Sequence, residues 1–289
     1  MTMRHWITSF RLLNDSFNVE TGRRLWKTDL CSIRVSLVCC LRHFARSWSA
    51  RVRAAAPVLA LAAAVASPAT AQTAPPTVDL QLVLAVDVSG SVNQMRFELQ
   101  RDGYVAAFRH PHVLAAIRSG PAGAIAVTVT QWTGPALQFQ VVPWTRISDA
   151  ASAEDFAAAI ERAPRQLFGG GTSISGAIDH AMSLWRGSPF QAPRRVIDVS
   201  GDGANNRGRP AAQARDEAVA AGISINGLPI LALEPDLDRY YEQNVIGGPG
   251  AFMVVARSYE AFAEAVRRKL IIEIAHEQNV ERSLALRQD

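Results

Sequence analysis

The sequence predicts an α/β fold: a doubly wound, mostly parallel sheet flanked by helices, with one antiparallel hairpin at its edge. A mostly apolar run at Leu80–Asp87 is too short for a helix and is soon followed by Gly90, as expected of a strand buried on both faces. Strand-like and helix-like segments then alternate along the chain, which indicates parallel strands joined by helical crossovers. Two strand-like segments are joined by the turn Thr133–Pro135, which favours a hairpin.

The predicted elements follow one another in a regular order. Six strands are predicted, at Leu80–Asp87, Ala124–Trp132, Leu137–Trp144, Arg195–Ser200, Ile223–Leu228 and Ala251–Val255. Helices are predicted at 93–118 with a break at Pro111, and at 153–163, 173–186, 210–221, 237–243 and 259–281. The predicted helix ends are assigned from proline, glycine and helix-capping residues. In the last helix an apolar stripe at one-turn spacing predicts packing against the core; its members are Phe262, Val266, Leu270 and Ile274.

Residues 1–71 are predicted to be an N-terminal extension that ends in a secretory signal peptide. A basic segment at 42–53 precedes an apolar stretch at 54–66, and a small-residue cleavage site ends at Ala71, which is the pattern of such a signal. The apolar stretch is too short for a stable membrane span, although an uncleaved membrane anchor is the alternative. The 40 residues at the start do not fit a signal peptide, and a start site assigned too far upstream is the simplest explanation. We therefore expect the mature protein to be periplasmic or secreted.

The composition of the expected mature chain, residues 72–289, excludes several function classes. All three cysteines of the sequence precede it, so neither disulfides nor a thiol nucleophile carry its chemistry. It contains 20 Lys and Arg against 23 Asp and Glu, a net charge of −3, whereas the whole chain has +4. The basic balance of the whole chain is thus no argument for a nucleic-acid partner. Its 218 residues suit one domain with a substantial core.

Polar residues stand where predicted strands end or helices begin. Asp87, Ser89 and Ser91 alternate at the end of the first strand, Thr172 follows a glycine loop, and Asp202 follows the fourth strand. Open α/β sheets bind ligands at the carboxyl ends of their strands, and carboxylate and hydroxyl oxygens suit Mg²⁺ or Mn²⁺. Each residue also has a plain structural interpretation: the serines and Thr172 as helix caps, and Asp202 as a turn residue.

The pattern Asp-x-Ser-x-Ser, then a loop Thr, then an Asp beside a Gly resembles the von Willebrand factor type A (vWA) domain. That family carries a metal-ion-dependent adhesion site (MIDAS), and the resemblance covers about residues 79–275. Residues 196–206 and 245–252 are similar, more narrowly, to a bacterial branch named DUF1194, a domain of unknown function.

The resemblance to vWA domains implies a bound divalent cation, Mg²⁺ or else Mn²⁺ or Ca²⁺. Ser89 and Ser91 would bind it directly; Thr172, Asp87 and Asp202 would do so directly or through water. It also implies that an acidic side chain of an unknown partner protein completes the metal shell. The implied function is metal-dependent protein–protein binding without turnover.

Two other functions remain open, a metal-dependent hydrolase or phosphatase-like enzyme and a scaffold with a vestigial metal site. An Asp-x-Asp phosphatase has a second carboxylate where Ser89 stands, and a serine is no general acid near neutral pH. Lys269, the only lysine after residue 71, is in the terminal helix, and no Gly-x-Ser-x-Gly elbow occurs, so we do not expect an enzyme. Asp198, inside the fourth strand, is expected to be either a hydrogen-bonding partner of a ligand or a structural acid. The Asn205–Asn206 pair is expected to form a turn.

Overall fold

The computed structural model describes residues 74–285, with side chains described as far as residue 275. These residues belong to one unit that spans Ala69–Asp289. The predicted signal peptide and its cleavage site lie outside the described residues. Within the described range, no helix combines the length and the apolar character needed to cross a membrane.

Five strands form a single sheet. They are β1 (Leu80–Asp87), β2 (Ile125–Trp132), β3 (Gln138–Ile147), β4 (Arg194–Gly201) and β5 (Ser224–Pro229). Their order across the sheet is β3-β2-β1-β4-β5. All neighbours are parallel except β2 and β3, which form an antiparallel hairpin. The predicted doubly wound, mostly parallel sheet with one edge hairpin is therefore confirmed.

Seven helices cover the two faces of the sheet in the described part of the chain. They are α1 (Gln94–Phe108), α2 (Pro111–Arg118), α3 (Ala150–Arg162), α4 (Ile174–Leu184), α5 (Ala211–Ala220), α6 (Leu237–Asn244) and α7 (Phe262–Ala285). Helices α1, α2, α3 and α7 pack on one face, and α4, α5 and α6 on the other. The helix predicted over 93–118 is divided at Pro111, as expected of a proline that cannot continue a helix. The predicted apolar stripe of α7 is buried in the core.

One predicted strand is wrong. Ala251–Val255 runs beside β5 but makes only one isolated bridge to it, between Gly227 and Met253, and the next bridge, between Ile230 and Ala256, lies beyond both segments. The regular ladder fails because the N–H of Phe252 donates 2.9 Å to the side-chain oxygen of Asn226. The glycine-rich turn that precedes this segment also places Gly247, rather than a strand residue, opposite Ile225.

The burial of β1 brings the polar loops together. Every residue of β1 is buried, and β4 lies beside it with Val86 opposite Ser200. Asp87 therefore ends its strand level with Gly201, and the residues that follow both strands meet at the carboxyl edge of the sheet.

Candidate metal centre

Three loops at the carboxyl edge of the sheet carry the five predicted metal ligands. Asp87 is the last residue of β1, and Ser89 and Ser91 lie in the turn before α1. Thr172 lies two residues before α4, and Asp202 directly follows β4. Four of the five are buried, and Ser91 is half-buried. Sequence positions more than a hundred residues apart are thus neighbours at this edge.

Hydrogen bonds join the carboxylates and serines of these loops. Ser91 Oγ donates 2.6 Å to Asp202 Oδ1, and it lies 3.0 Å from Ser89 Oγ. The N–H of Ser89 donates 2.7 Å to Asp87 Oδ1. The oxygens of Ser89, Ser91 and Asp202 therefore form a contiguous chain, which a small cation could engage together. Neither serine caps α1, because Asn93 is its N-cap, so the capping interpretation of the serines is wrong.

Thr172 joins this site through the loop that follows β4. Its N–H donates 2.9 Å to Asn206 Oδ1, and its carbonyl accepts from the N–H of Asn206 at 2.9 Å. A Cβ at Gly203 would lie 3.8 Å from Thr172 Oγ1, so the hydroxyl faces the Asp202 loop. The N-cap of α4 is Ser173 and not Thr172, which leaves the Thr172 hydroxyl free of that structural role.

The Asn205–Asn206 pair joins the loop that follows β4 to the loop that precedes α4, so its interpretation as a simple turn is wrong. Asn206 holds Thr172, and Asn205 Oδ1 accepts from the N–H of Ser175 at 3.1 Å. Both partners lie at the start of α4, about thirty residues earlier in the chain. No local sequence pattern could have revealed these contacts.

Two buried polar atoms at the site lack a partner. Asp87 Oδ2 and the hydroxyl of Tyr241 make no hydrogen bond within the described residues. A Cβ at Gly201 would lie 2.9 Å from the first and 3.0 Å from the second, so the glycine leaves the space between them open. Burial, followed by the nearby charge of Asp202, raises the pKa of Asp87 to about 7. Two close buried carboxylates with an orphaned oxygen form a set that a divalent cation would satisfy.

Tyr259 and Arg96 also contact Asp202, and no motif in the sequence predicted either contact. The Tyr259 hydroxyl donates 2.8 Å to Asp202 Oδ2, and the guanidinium of Arg96 lies 3.7 Å from the same oxygen. Arg96 in turn stacks over the Tyr259 ring at 5.2 Å. Tyr259 lies three residues before α7, so a hydrogen bond links the approach to the terminal helix with the candidate metal centre.

Asp198 is a structural acid and lies outside the candidate metal centre. Its Oδ2 lies 2.7 Å from Nζ of Lys269, and both side chains are fully buried. Glu273 Oε2 lies 3.3 Å from the same Nζ. Four residues of strand, about 13 Å, separate Asp198 from Asp202, so the two acids serve different sites. The structure thus favours the structural interpretation of Asp198 over the ligand-bonding one.

The Asp198 cluster predicts a dependence of stability on pH. Burial raises the pKa of Asp198 to about 7, with Lys269 opposing and Glu273 adding to the shift. A folded pKa above the unfolded value of 3.8 means that the folded protein holds a proton that the unfolded chain releases. This contribution to stability is complete below pH 3.8 and is lost as the pH rises to about 7, by at most about 1.4 kcal/mol per pH unit.

We expect Asp198→Asn to remove this part of the pH dependence. Urea unfolding at pH 5.5 and 7.5 with a chelator should show a smaller fall in unfolding free energy for this variant than for the wild type. Asp87, whose pKa is also raised, is present in both proteins and cancels in the comparison. Asp155→Asn, at an exposed position of α3, is the control and should behave like the wild type. If the unfolding free energy falls equally between pH 5.5 and 7.5 for Asp198→Asn and the wild type, the prediction is contradicted.

A family model covers most of the described domain. The model of a protein family of unknown function, DUF1194, matches residues 77–278. This chain belongs to the DUF1194 family. The narrower resemblance seen in the sequence is therefore confirmed, and no curated protein matches this DUF1194 chain.

Solved structures share the fold of this DUF1194 protein. Proximal thread matrix protein 1 from the mussel byssus is 17% identical with a TM-score of 0.50, and the match covers 69% of this chain and 49% of that one. A von Willebrand factor type A protein from Catenulispora acidiphila is also 17% identical, with a TM-score of 0.49 and coverage of 68% and 43%. The DUF1194 chain thus spans less than half the length of these proteins. The mussel protein has also been solved with a zinc-occupied MIDAS motif, at 17% identity, a TM-score of 0.48 and coverage of 69% and 48%.

The DUF1194 domain has a vWA-like fold. Its sheet order, its single antiparallel edge strand and its helices on both faces are those of a doubly wound fold, and the likeness to solved structures bears on this fold alone. What the candidate site binds must be argued from the residues of this chain.

Proposed function

We propose that this DUF1194 protein is an exported vWA-like domain that binds a divalent cation and uses it to bind another protein. The cation, Mg²⁺ or else Mn²⁺ or Ca²⁺, would be held by Asp87, Ser89, Ser91, Thr172 and Asp202. An acidic side chain of the partner would complete its shell. The expected signal peptide supports export, and the net charge of −3 after residue 71 supports a protein partner rather than a nucleic acid.

The orphaned Oδ2 of Asp87 is the observation that carries this proposal. An unsatisfied buried carboxylate oxygen costs free energy, and Oδ2 makes no hydrogen bond to any described residue. A cation would remove this cost and would also offset the repulsion between Asp87 and Asp202. In the described residues no three His, Cys, Asp or Glu side chains form a metal-binding group. A site at Asp87 therefore depends on the neutral hydroxyls for its remaining oxygens.

The neutral hydroxyl ligands explain why the site suits binding of a carboxylate from a partner. Three of the five proposed ligands are neutral hydroxyls, so a divalent cation would keep more positive charge than in a site built of carboxylates alone, and it would keep a coordination position for water. Mg²⁺ in proteins commonly keeps several waters, and a carboxylate from outside can replace one of them. The carboxylates that contact the serines, Asp87 and Asp202, are themselves proposed metal ligands, so neither is free to act as a general base, which supports capture of an anionic side chain over hydrolysis.

Metal titration of the purified protein tests the proposal. By isothermal titration calorimetry we expect the wild type to bind Mg²⁺ and Mn²⁺, and Asp202→Asn to bind at least about tenfold more weakly, since it loses a charged ligand. Asp155→Asn, an exposed acid on α3, is the matched control and should bind like the wild type. Equal binding by Asp202→Asn and the wild type would overturn the metal site. Partner capture that survives a chelator would instead favour a scaffold.

A further inference from the structure

Exposed apolar side chains are concentrated at the edge of the sheet that carries the candidate metal centre. Among the side chains that the structure describes, six large apolar ones are exposed: Met95, Leu137, Phe139, Phe168, Leu233 and Ile272. All but Ile272 lie at this edge, in loops, in the first turn of α1 or at the start of β3. Single exposed apolar residues are normal on a protein surface, whereas a group on one face marks an interaction site.

Three of these side chains lie close to the loops that hold the candidate ligands. Met95 is in the first turn of α1, four residues after Ser91. Phe168 immediately precedes the glycine loop 169–171, which leads to the Thr172 ligand position. Leu137 contacts this loop, since a Cβ at its middle glycine would lie 2.6 Å from Leu137 Cδ1. The apolar side chains thus border the candidate metal centre.

Phe168 is the most exposed of the group and is held in place by Arg165. Its side chain is 70% exposed, and the Arg165 guanidinium lies 4.8 Å from the centre of its ring. The guanidinium is itself fixed by backbone carbonyls: it donates 2.8 Å to Leu167, 3.1 Å to Val88 and 3.4 Å to Ser89. Phe168 is therefore positioned by a side chain that also touches the backbone of a candidate metal ligand.

The glycine loop between Phe168 and Thr172 is braced on both sides. Gly170 and Gly171 have φ of 115° and 82°, values that side-chain-bearing residues rarely adopt. The N–H of Ser173 donates 2.7 Å to the carbonyl of Thr133, and Asn206 holds Thr172 from the other side. An exposed aromatic ring beside a braced loop needs little ordering on binding, which favours affinity.

A cation without a partner among the described residues packs against the same loop. The Arg207 side chain covers Gly171, since a Cβ there would lie 2.6 Å from Arg207 Cγ. Arg207 is exposed, and its guanidinium forms neither a hydrogen bond nor an ion pair with any described residue. The glycine loop is thus flanked by an exposed aromatic ring and an available positive charge, the residue types that dominate binding at interfaces.

We propose that the partner presents an acidic segment that carries a large apolar side chain close to the metal-binding carboxylate. The carboxylate reaches the metal, the apolar side chain packs on Phe168, and the acidic character of the segment complements Arg207. This inference rests on the proposed metal-dependent binding and specifies the kind of partner that the site accepts. Phe168 then sets affinity for the partner without affecting the metal.

Selection from a random twelve-residue peptide library on the Mg²⁺-loaded protein tests this inference. We expect the selected peptides to pair an acidic residue with a nearby aromatic or large aliphatic one, and to be released by a chelator. Phe168→Ser should weaken the best peptide by about tenfold or more, the range of a strong interface contact, whereas Phe168→Leu should retain most of the affinity. Ile272→Ser, at the exposed apolar position away from this edge, is the matched control and should leave affinity unchanged. Metal affinity should be the same in all of these proteins.

The outcomes separate this inference from the proposed function. If no metal-dependent peptide is selected, or the peptides are acidic without an apolar neighbour, the inference is wrong. It is equally wrong if Phe168→Ser binds as well as the wild type. In each of these cases calorimetric Mg²⁺ binding still shows whether the metal site exists. Loss of Mg²⁺ binding by Phe168→Ser would show that the ring supports the site itself, which also contradicts the inference.

Discussion

Lys269→Met is expected to lower the free energy of unfolding by about 3–5 kcal/mol, the usual cost of removing one partner of a buried ion pair. Lys269 is fully buried, 2.7 Å from Asp198 and 3.3 Å from Glu273, which are themselves fully buried. Methionine fills a similar volume but leaves two buried carboxylates without a cation. Urea unfolding at pH 8, above the pKa of about 7 of Asp198, in the presence of a chelator and followed by circular dichroism, measures the change.

Two further variants distinguish loss of charge pairing from damage to helix α7. Arg268→Met changes the neighbouring residue, which is exposed, and should alter stability by no more than about 0.5 kcal/mol. The double variant Lys269→Met with Asp198→Asn removes an acid together with the cation, so we expect it to be more stable than Lys269→Met alone. A loss below about 1 kcal/mol for Lys269→Met, or a double variant that is still less stable, would contradict the prediction.

This cluster matters for the candidate metal centre because it fixes α7 on the sheet. Asn226 of β5 donates 2.7 Å to Glu273, and Lys269 forms an ion pair with Asp198 of β4. The segment before the same helix carries Tyr259, which bonds Asp202. The terminal helix is therefore tied to the interior of the sheet at one place and to the candidate site at another.

The local part of the fold was predictable because it depends on short apolar runs. β1 is apolar along most of its length and ends in a charged residue, so both its burial and its polar end follow from the sequence. Once strands alternate with helices, parallel pairing brings their carboxyl ends to one edge. The prediction that Asp87, Ser91 and Asp202 lie together needed no more than this, and the 2.6 Å contact of Ser91 with Asp202 agrees with it.

The contacts that the sequence could not predict are those between distant elements. Lys269 and Asp198 are 71 residues apart, and their contact depends on the rotation of α7 about its axis, which amphipathic spacing fixes only approximately. The Asn205–Asn206 pair is a plain turn signal in sequence, yet its side chains reach across to another loop. Ala251–Val255 has the apolar composition of a strand, but the side chain of Asn226 takes one of the N–H groups that a regular ladder would use.

Asp87→Asn is expected to have opposite effects on stability without and with metal. In chelator the variant should be more stable than the wild type by about 1–3 kcal/mol, because it removes a buried carboxylate with an unsatisfied oxygen. The amide keeps the acceptor for the N–H of Ser89 and places no charge in the buried site. With Mg²⁺ at 100 times its dissociation constant the wild type should gain about 2.7 kcal/mol, and the variant should gain much less.

Asp79→Asn, at the opposite end of β1, is the matched control for this reversal. Asp79 is also buried, but its two oxygens accept the N–H groups of Ala122 and Ala124, so the control should lose stability equally with and without Mg²⁺. Thermal or urea unfolding of the three proteins in chelator and in Mg²⁺ makes the comparison. The prediction is contradicted if Asp87→Asn is less stable than the wild type in chelator, or if Mg²⁺ stabilises it as much as it stabilises the wild type. A carboxylate that costs stability in the metal-free protein and restores it when metal binds is the behaviour expected of a ligand, whereas an acid with a purely structural role would stabilise the protein under both conditions.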